Sequence, residues 1–334
     1  MAPPLTDEAT VTFEIALGMA VALGLFGLLL WFLRVVMSPL LVKETGNPVA
    51  VDRQALHDHV MYLSTASPAR SIGYLRILNE TADYIQTQFE THGLSAELQE
   101  YEVEEGKVRN VIVQLGPANK PRIVIGAHYD SCGEQPGADD NASGVAGLIE
   151  LARILKENES LLTHRFELVA YTLEEPPYFG TEFMGSAVHA KALHEAGAEV
   201  ALMVSLEMIG YFTDEPDSQR FPTGLLEGLY PTVGNFIALV GNLKSKHTLE
   251  RLKRPMLAAS KVPLYSISSP GIVEGVDFSD HRNYWRYGYP AMMLTDTAYF
   301  RNPNYHARTD TIDTLDFEKM ALVIEALAWG VLEF

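Results

Sequence analysis

The chain has 334 residues and a formal net charge of −18, with 43 acidic residues against 25 Lys and Arg. That balance argues against a nucleic-acid partner, which demands basic patches. The length suits one large domain with a sizeable core. The single cysteine, Cys132, excludes an intramolecular disulfide without fixing the compartment.

Residues 1–14 are acidic and contain prolines, which predicts a disordered start. Ile15 to Leu33 is an unbroken uncharged run. It comes close to the ~20 apolar residues a helix needs to cross a bilayer. Trp31 stands near one end, where interfacial aromatics collect. We expect a transmembrane helix over 15–37, acting as a single-pass N-terminal anchor. A cleaved signal peptide would have a positive start, a shorter apolar core and a small-residue cleavage site. A buried core helix would show a polar face. Arg34 and Lys43 follow the run and no Lys or Arg precedes it, so the positive-inside rule places the large domain in the cytoplasm. Residues 38–50, with Pro39, Gly46 and Pro48, read as a linker to a domain over 51–334.

Asp52 to Ser64 and Gly73 to His92 read as amphipathic helices. In the second, Leu75, Leu78, Ala82, Ile85 and Phe89 recur at helical spacing before Gly93, a natural C-cap. His57, His59 and His92 have no acidic cluster of matching pattern and read as surface or helix-end residues. Ser95 to Tyr101 and Val108 to Leu115 read as strands joined through Glu104-Glu105-Gly106-Lys107. Arg122 to Ala127, Phe166 to Leu173 and Val200 to Leu206 are apolar runs of buried-strand type. A helix over Val145 to Lys156 lies between the first two, with Asn141 or Ser143 able to cap it. This alternation predicts an α/β three-layer sandwich with a mixed, largely parallel central sheet. Gly210 to Pro231 is a long segment of Pro, Gly, Asp and aromatics, the composition of a binding wall or lid. Thr232 to Lys244 resumes a core pattern. His247 to Lys261 looks helical, with Pro255 breaking or kinking it. Pro263 to Ile267 and Pro290 to Thr295 read as strands, and Leu315 to Leu332 as a final helix capped by Asp316.

The chemistry lies at the strand ends. The first buried strand runs into His128-Tyr129-Asp130 and then Gly137-Ala138-Asp139-Asp140-Asn141. The second ends in Glu174-Glu175, the third in Glu207, and the strand at Pro290 leads to a loop reaching His306. In open α/β sheets, ligands bind outside the carboxyl ends of strands. Histidine with oxygen ligands suits zinc or a similar divalent ion. Each feature alone has a plainer reading: a polar loop with a capping Asp, or a solvated acidic turn before Pro176-Pro177. Four strand ends supplying this chemistry together are hard to explain that way. Asp130 is placed to take the second N–H of the His128 ring. Glu174 and Glu175 would point to opposite faces of an extended strand and could divide metal binding from proton transfer. Cys132 could be a thiolate ligand or nucleophile, but no basic neighbour or helix start is evident to activate it, and it reads as a bystander. No Gly-x-Ser-x-Gly elbow, Gly-x-Gly-x-x-Gly or phosphate loop is present.

These residues resemble the co-catalytic zinc aminopeptidase family, which also contains glutamate carboxypeptidase II. Glutaminyl cyclase and the transferrin receptor share its fold. The matching pieces are His128-Tyr-Asp130, Pro136 to Gly144, Glu174-Glu175, Ser205 to Tyr211, Ser279-Asp-His281 and Tyr305-His306. The resemblance implies a peptide substrate and two zinc ions, with Asp140 bridging them. His128 and Glu207 would complete one site, Glu175 and His306 the other. Glu174 would be the general base and Asp130 would orient His128. It further implies a cis peptide after Asp140 and a domain outside the cytoplasm, against the charge pattern. Glu207 departs from the usual Asp at its position, which bears on how many ions are held. Three other readings keep the fold. One is a glutaminyl cyclase with a single zinc. Another is a carboxypeptidase or dipeptidase, for which Arg282, Arg286, Arg301 or Arg308 could bind a free carboxylate. The third is a non-catalytic binding domain.

Overall fold

The computed structural model describes residues 7–37, 40, 46, 49–67 and 69–334. Its sheet contains β1 (Ala96–Val103), β2 (Gly106–Leu115), β3 (Arg122–His128), β4 (Arg165–Tyr171), β5 (Val200–Glu207), β6 (Ile237–Gly241), β7 (Leu264–Ser268) and β8 (Ala291–Thr295). The spatial order is β1-β2-β4-β3-β5-β8-β6-β7. The helices are α1 (Asp7–Val36), α2 (Arg53–Ser64), α3 (Leu75–Thr91), α4 (Gly144–Glu157), α5 (Gly185–Glu195), α6 (Gly224–Glu227), α7 (Lys246–Ala259), α8 (His281–Trp285) and α9 (Phe317–Leu332).

The central block β4-β3-β5-β8 is parallel throughout, and antiparallel pairs flank it at β1-β2, β2-β4 and β6-β8. The sheet is therefore mixed, as expected. Helices cover both its faces, so the central strands are continuous apolar runs: Ile123, Val124, Ile125 and Ala127 of β3 are all fully buried. One face packs against α2, α3, α4, α7 and α9, and the other against α5 and α8. The register matters for function. His128 pairs with Tyr171, Gly126 with Ser205, and Glu207 with Thr295. The carboxyl ends of four adjacent strands thus lie in one row.

Local signals set the helix ends. Asp52 Oδ1 accepts from Gln54 N and Ala55 N to start α2, and Asp316 Oδ1 accepts from Lys319 N to start α9. For α4 the cap is Asn141, whose Oδ1 accepts from Gly144 N at 3.1 Å. Ser143 instead donates to Asp139 O and accepts from Ile209 N. Pro255 sits inside α7 without ending it. Burial of Leu249, Leu252 and Met256 there offsets the missing backbone bond. His59, expected at the surface, is buried and meets the Tyr84 hydroxyl at 2.7 Å.

At the N-terminus the helix begins at Asp7 rather than Ile15, so residues 7–14 are helical and not disordered. The apolar run marks where a bilayer could be crossed and does not mark where a helix starts. Thr10–Phe32 is long and apolar enough to span a membrane, and its most apolar stretch is exposed. At its far end, Arg34 pairs with Glu250 and Ser266 Oγ donates to Met37 O at 3.1 Å. Most of the expected linker over 38–50 lies outside the described residues.

Candidate metal centre

His128, Asp130, Asp140, Glu174, Glu175, Glu207 and His306 are brought together at the carboxyl end of β4-β3-β5-β8. His128 is the last residue of β3 and Glu207 the last of β5. Glu174 and Glu175 follow β4, and His306 lies in the loop after β8. Residues beside and within this set have left-handed backbone: Leu173 before Glu174 (φ 58), Met208 after Glu207 (φ 51) and His306 itself (φ 52). Such conformations cost on the order of 1–3 kcal/mol each and cluster at functional sites. The Asp140–Asn141 peptide is cis.

Asp140 divides the cluster. Its Oδ1 lies 3.4 Å from His128 Nε2, and its Oδ2 lies 3.2 Å from His306 Nε2. His128 Nε2 is also 3.4 Å from Glu207 Oε1, and His306 Nε2 is 3.2 Å from Glu175 Oε2. One carboxylate therefore serves two ligand sets. Ligand atoms of His128, Asp140 and Glu207 all lie within 4.8 Å of one another. Glu207 reaches this set despite its extra methylene, and Ser279 Oγ donates to its other oxygen at 2.8 Å. Glu174 Oε2 stands 3.9 Å from His128 Nε2, set back from the ligands.

Supporting contacts hold the geometry. The Asp130 carboxylate accepts Glu174 N at 3.1 Å and Glu175 N at 3.0 Å, positioning both acids at once. Its expected contact with the His128 ring is longer: Nδ1 is 3.5 Å from Oδ1 and 3.1 Å from the Asp130 carbonyl oxygen. The sequence hid three further parts. Asp310 accepts both Asp139 N and Asp140 N. Buried Arg70 donates from Nε to Tyr129 O at 2.9 Å and from its terminal nitrogens to Pro136 O and Gly137 O. Asn141 Nδ2 donates to Leu206 O, and its Oδ1 accepts from Met208 N. Tyr305 stacks on the His306 ring at 3.9 Å. Asp139, beside Asp140, faces away and accepts from Gly210 N and Asn302 Nδ2. His281 is no part of either set: burial pushes it down to about 4, and it donates from Nε2 to Val276 O at 2.8 Å.

The crowding of buried acids around two histidines sets the electrostatics. Burial alone would discharge His306, yet contact with Asp140 and Glu175 raises it to about 10. His128 is likewise raised well above its ordinary range, with Glu207 and Glu174 overcoming burial. Burial and then the Asp140 charge push Glu175 up to about 7. Burial also raises Glu174 well above the usual carboxylate range, opposed by His128. Asp140 goes the other way: burial opposes its charge, but His128 and His306 hold it well below that range. Glu175 is 4% exposed, and its Oε1 has no hydrogen-bond partner among the described residues. A buried carboxylate oxygen without a donor is costly. A divalent cation would complete it, so the donor set fits such an ion.

The cleft over the cluster is walled by Pro176, Phe179, Phe278, Tyr299, Phe300 and Tyr305, with no Lys or Arg among its lining residues. The four arginines considered for a substrate carboxylate are engaged elsewhere. Arg282 pairs with Asp277, Arg286 donates to Gly180 O, Arg301 to Gln219 and Phe236 O, and Arg308 pairs with Glu134. Tyr299 and Phe300, in the loop after β8, form part of the cleft wall. Residues 219–230 of the Gly210–Pro231 segment line a neighbouring apolar cavity instead, which shares Gly275, Thr297 and Phe300 with the cleft.

Paired His and carboxylate sets on the parallel strand ends of a mixed α/β sandwich are an arrangement that fits divalent cations. The profile of peptidase family M28 matches residues 110–329, and the chain belongs to that family. It is 42% identical over 290 residues to the uncharacterized protein YfbL of Escherichia coli (strain K12), covering 84% of this chain and 88% of YfbL. It is 30% identical over 220 residues to the probable leucine aminopeptidase 1 of Trichophyton verrucosum, covering 63% of this chain and 53% of that protein. The chain thus spans about half the length of that fungal relative. Among solved structures, the Legionella pneumophila LapA aminopeptidase superposes with a TM-score of 0.68 at 21% identity, covering 85% of this chain and 72% of that one. A Porphyromonas gingivalis glutaminyl cyclase superposes at 0.63 and 17% identity, covering 84% and 98%. At these identities the two superpositions speak for the fold alone.

Proposed function

We propose that the protein is a membrane-anchored zinc aminopeptidase holding two ions. The observation that carries this reading is the division of the Asp140 carboxylate between His128 and His306. His128, Glu207 and one Asp140 oxygen would hold one ion, and Glu175, His306 and the other oxygen the second. Bound there, the ions would polarise the scissile carbonyl and make water a stronger nucleophile. Glu174 takes the proton from the attacking water and passes it to the leaving amine. Its position set back from the ligands, 3.9 Å from His128 Nε2, suits that role. Asp130 fixes Glu174 and Glu175 through their backbone. The aromatic walls exclude water and favour apolar side chains.

Two features separate this from the rival readings. The cleft has no Lys or Arg among its described lining residues to pair with a substrate carboxylate, which speaks against a carboxypeptidase. Both ligand sets are complete, which favours a peptidase over a single-zinc glutaminyl cyclase. The exposed Thr10–Phe32 span supports an anchor, and the family resemblance favours a domain outside the cytoplasm.

The test is turnover by the detergent-purified full chain. It should release the arylamine from aminoacyl-arylamides with apolar side chains and leave N-terminally blocked analogues intact. Cyclisation of an N-terminal glutamine without arylamide hydrolysis would replace the reading with the cyclase.

A further inference from the structure

Cys132 has no part in the site as described above. Its Sγ, a carboxylate oxygen of Glu175 and a ring nitrogen of His306 nevertheless lie within 4.8 Å of one another. The thiol is half-buried. Its loop is tied to the ligand it faces: Gln135 N donates to Cys132 O at 3.1 Å, and Gln135 Nε2 donates to His306 O at 2.9 Å. Arg70 holds the far side of the same loop through Pro136 O and Gly137 O. An independent observation points to a ligand at this spot. Glu175, a member of the trio, is buried and its Oε1 has no hydrogen-bond partner among the described residues, while its Oε2 faces His306.

We propose that Cys132 is a ligand of the ion held by Glu175 and His306. The inference rests on the two-ion reading above and goes beyond it. It makes the two sites chemically unlike. His128, Asp140 and Glu207 offer only nitrogen and oxygen, whereas the second site adds a soft sulfur donor. Soft thiolates select zinc over magnesium and manganese, so the second site is the more zinc-selective of the two. A metal-bound thiol is deprotonated outright, so Cys132 would bind as the thiolate.

The test uses the metal-stripped full chain in detergent, titrated with Co(II) and followed by near-ultraviolet absorption. Cys132 is the only cysteine, so any sulfur-to-metal signal is its own. We expect a thiolate-to-cobalt charge-transfer band that saturates at one of two bound equivalents. Maleimide labelling of Cys132 should be lost on loading. In Cys132→Ser the band should vanish while two ions still bind. One site should weaken by at least the roughly 10–100-fold that losing an outer-shell partner costs. Two bound ions with no band and unchanged labelling in the unmutated chain would overturn the proposal and leave the two-ion reading standing. Failure to bind any ion would overturn both.

Discussion

The carboxylate of Asp310 accepts the backbone N–H of Asp140 at 3.0 Å, while its other oxygen accepts that of Asp139 at 2.9 Å. The residue proposed to bridge two ions is therefore held by its main chain from 170 positions away. Asp310→Ala would strand two buried donors, each costing about 1–3 kcal/mol. We predict a clear drop in thermal midpoint and a metal affinity lowered by about 10–100-fold. Asp310→Asn, which keeps one acceptor oxygen, should lose less. Calorimetry of both variants with and without zinc checks this.

Glu174→Gln should bind metal as the unmodified chain does, because Glu174 lies behind the ligands. Turnover should fall by the ~10²–10⁴-fold that general-base catalysis contributes. Steady-state kinetics beside metal analysis separates the two effects. A variant that loses its metal would make Glu174 a ligand.

Asp130→Asn should behave differently. Its carboxylate fixes Glu174 and Glu175 together, and an amide can accept only one of their two N–H groups. We expect both metal affinity and kcat to fall. A fall in kcat alone would confine Asp130 to the base.

Metal binding should release protons at neutral pH. In the metal-free chain His306 is raised to about 10 and Glu175 to about 7, so both carry protons that a cation must displace. His306, raised above its unfolded value, stabilises the metal-free fold below pH ~6.5, and that contribution is lost as pH rises through about 10. Metal affinity should therefore increase with pH across this window. Titration calorimetry in buffers of different ionisation enthalpy measures the protons released, and a pH-independent affinity would contradict the assignment.

Gly137 has φ 60, and a Cβ there would lie 2.2 Å from Asp140 O. Gly137→Ala should destabilise the protein by more than the ~1 kcal/mol of an ordinary glycine substitution and disturb the bridging ligand. Urea denaturation with a metal titration checks both.

His128, Asp130, Asp140, Glu174-Glu175 and Glu207 were legible because each closes or follows an apolar strand, where local pattern and chemistry coincide. His306 could be reached because its loop follows β8. Asp310 and Arg70 act across long sequence distances on backbone groups, and nothing in their neighbours marks them; Asn141 stands in the motif as a cap, but its bonds to Leu206 O and Met208 N are tertiary. Register is what brings them in. Arg70 and Tyr129 are 59 positions apart, and only the folded sheet makes them partners. The same limit explains the segment over 210–231: composition identified a wall, while topology decided which cavity it lines. In sequence Cys132 reads as a bystander because no basic residue lies near it. Its proximity to Glu175 and His306 is a tertiary fact.

The most direct test of the central claim is the metal content of the purified full chain after zinc is offered, measured beside Asp140→Asn. The account predicts about two ions per chain, as a co-catalytic pair requires, and loss of at least one in the variant. A single ion in the unmodified chain, or two retained in Asp140→Asn, would contradict a bridge at Asp140.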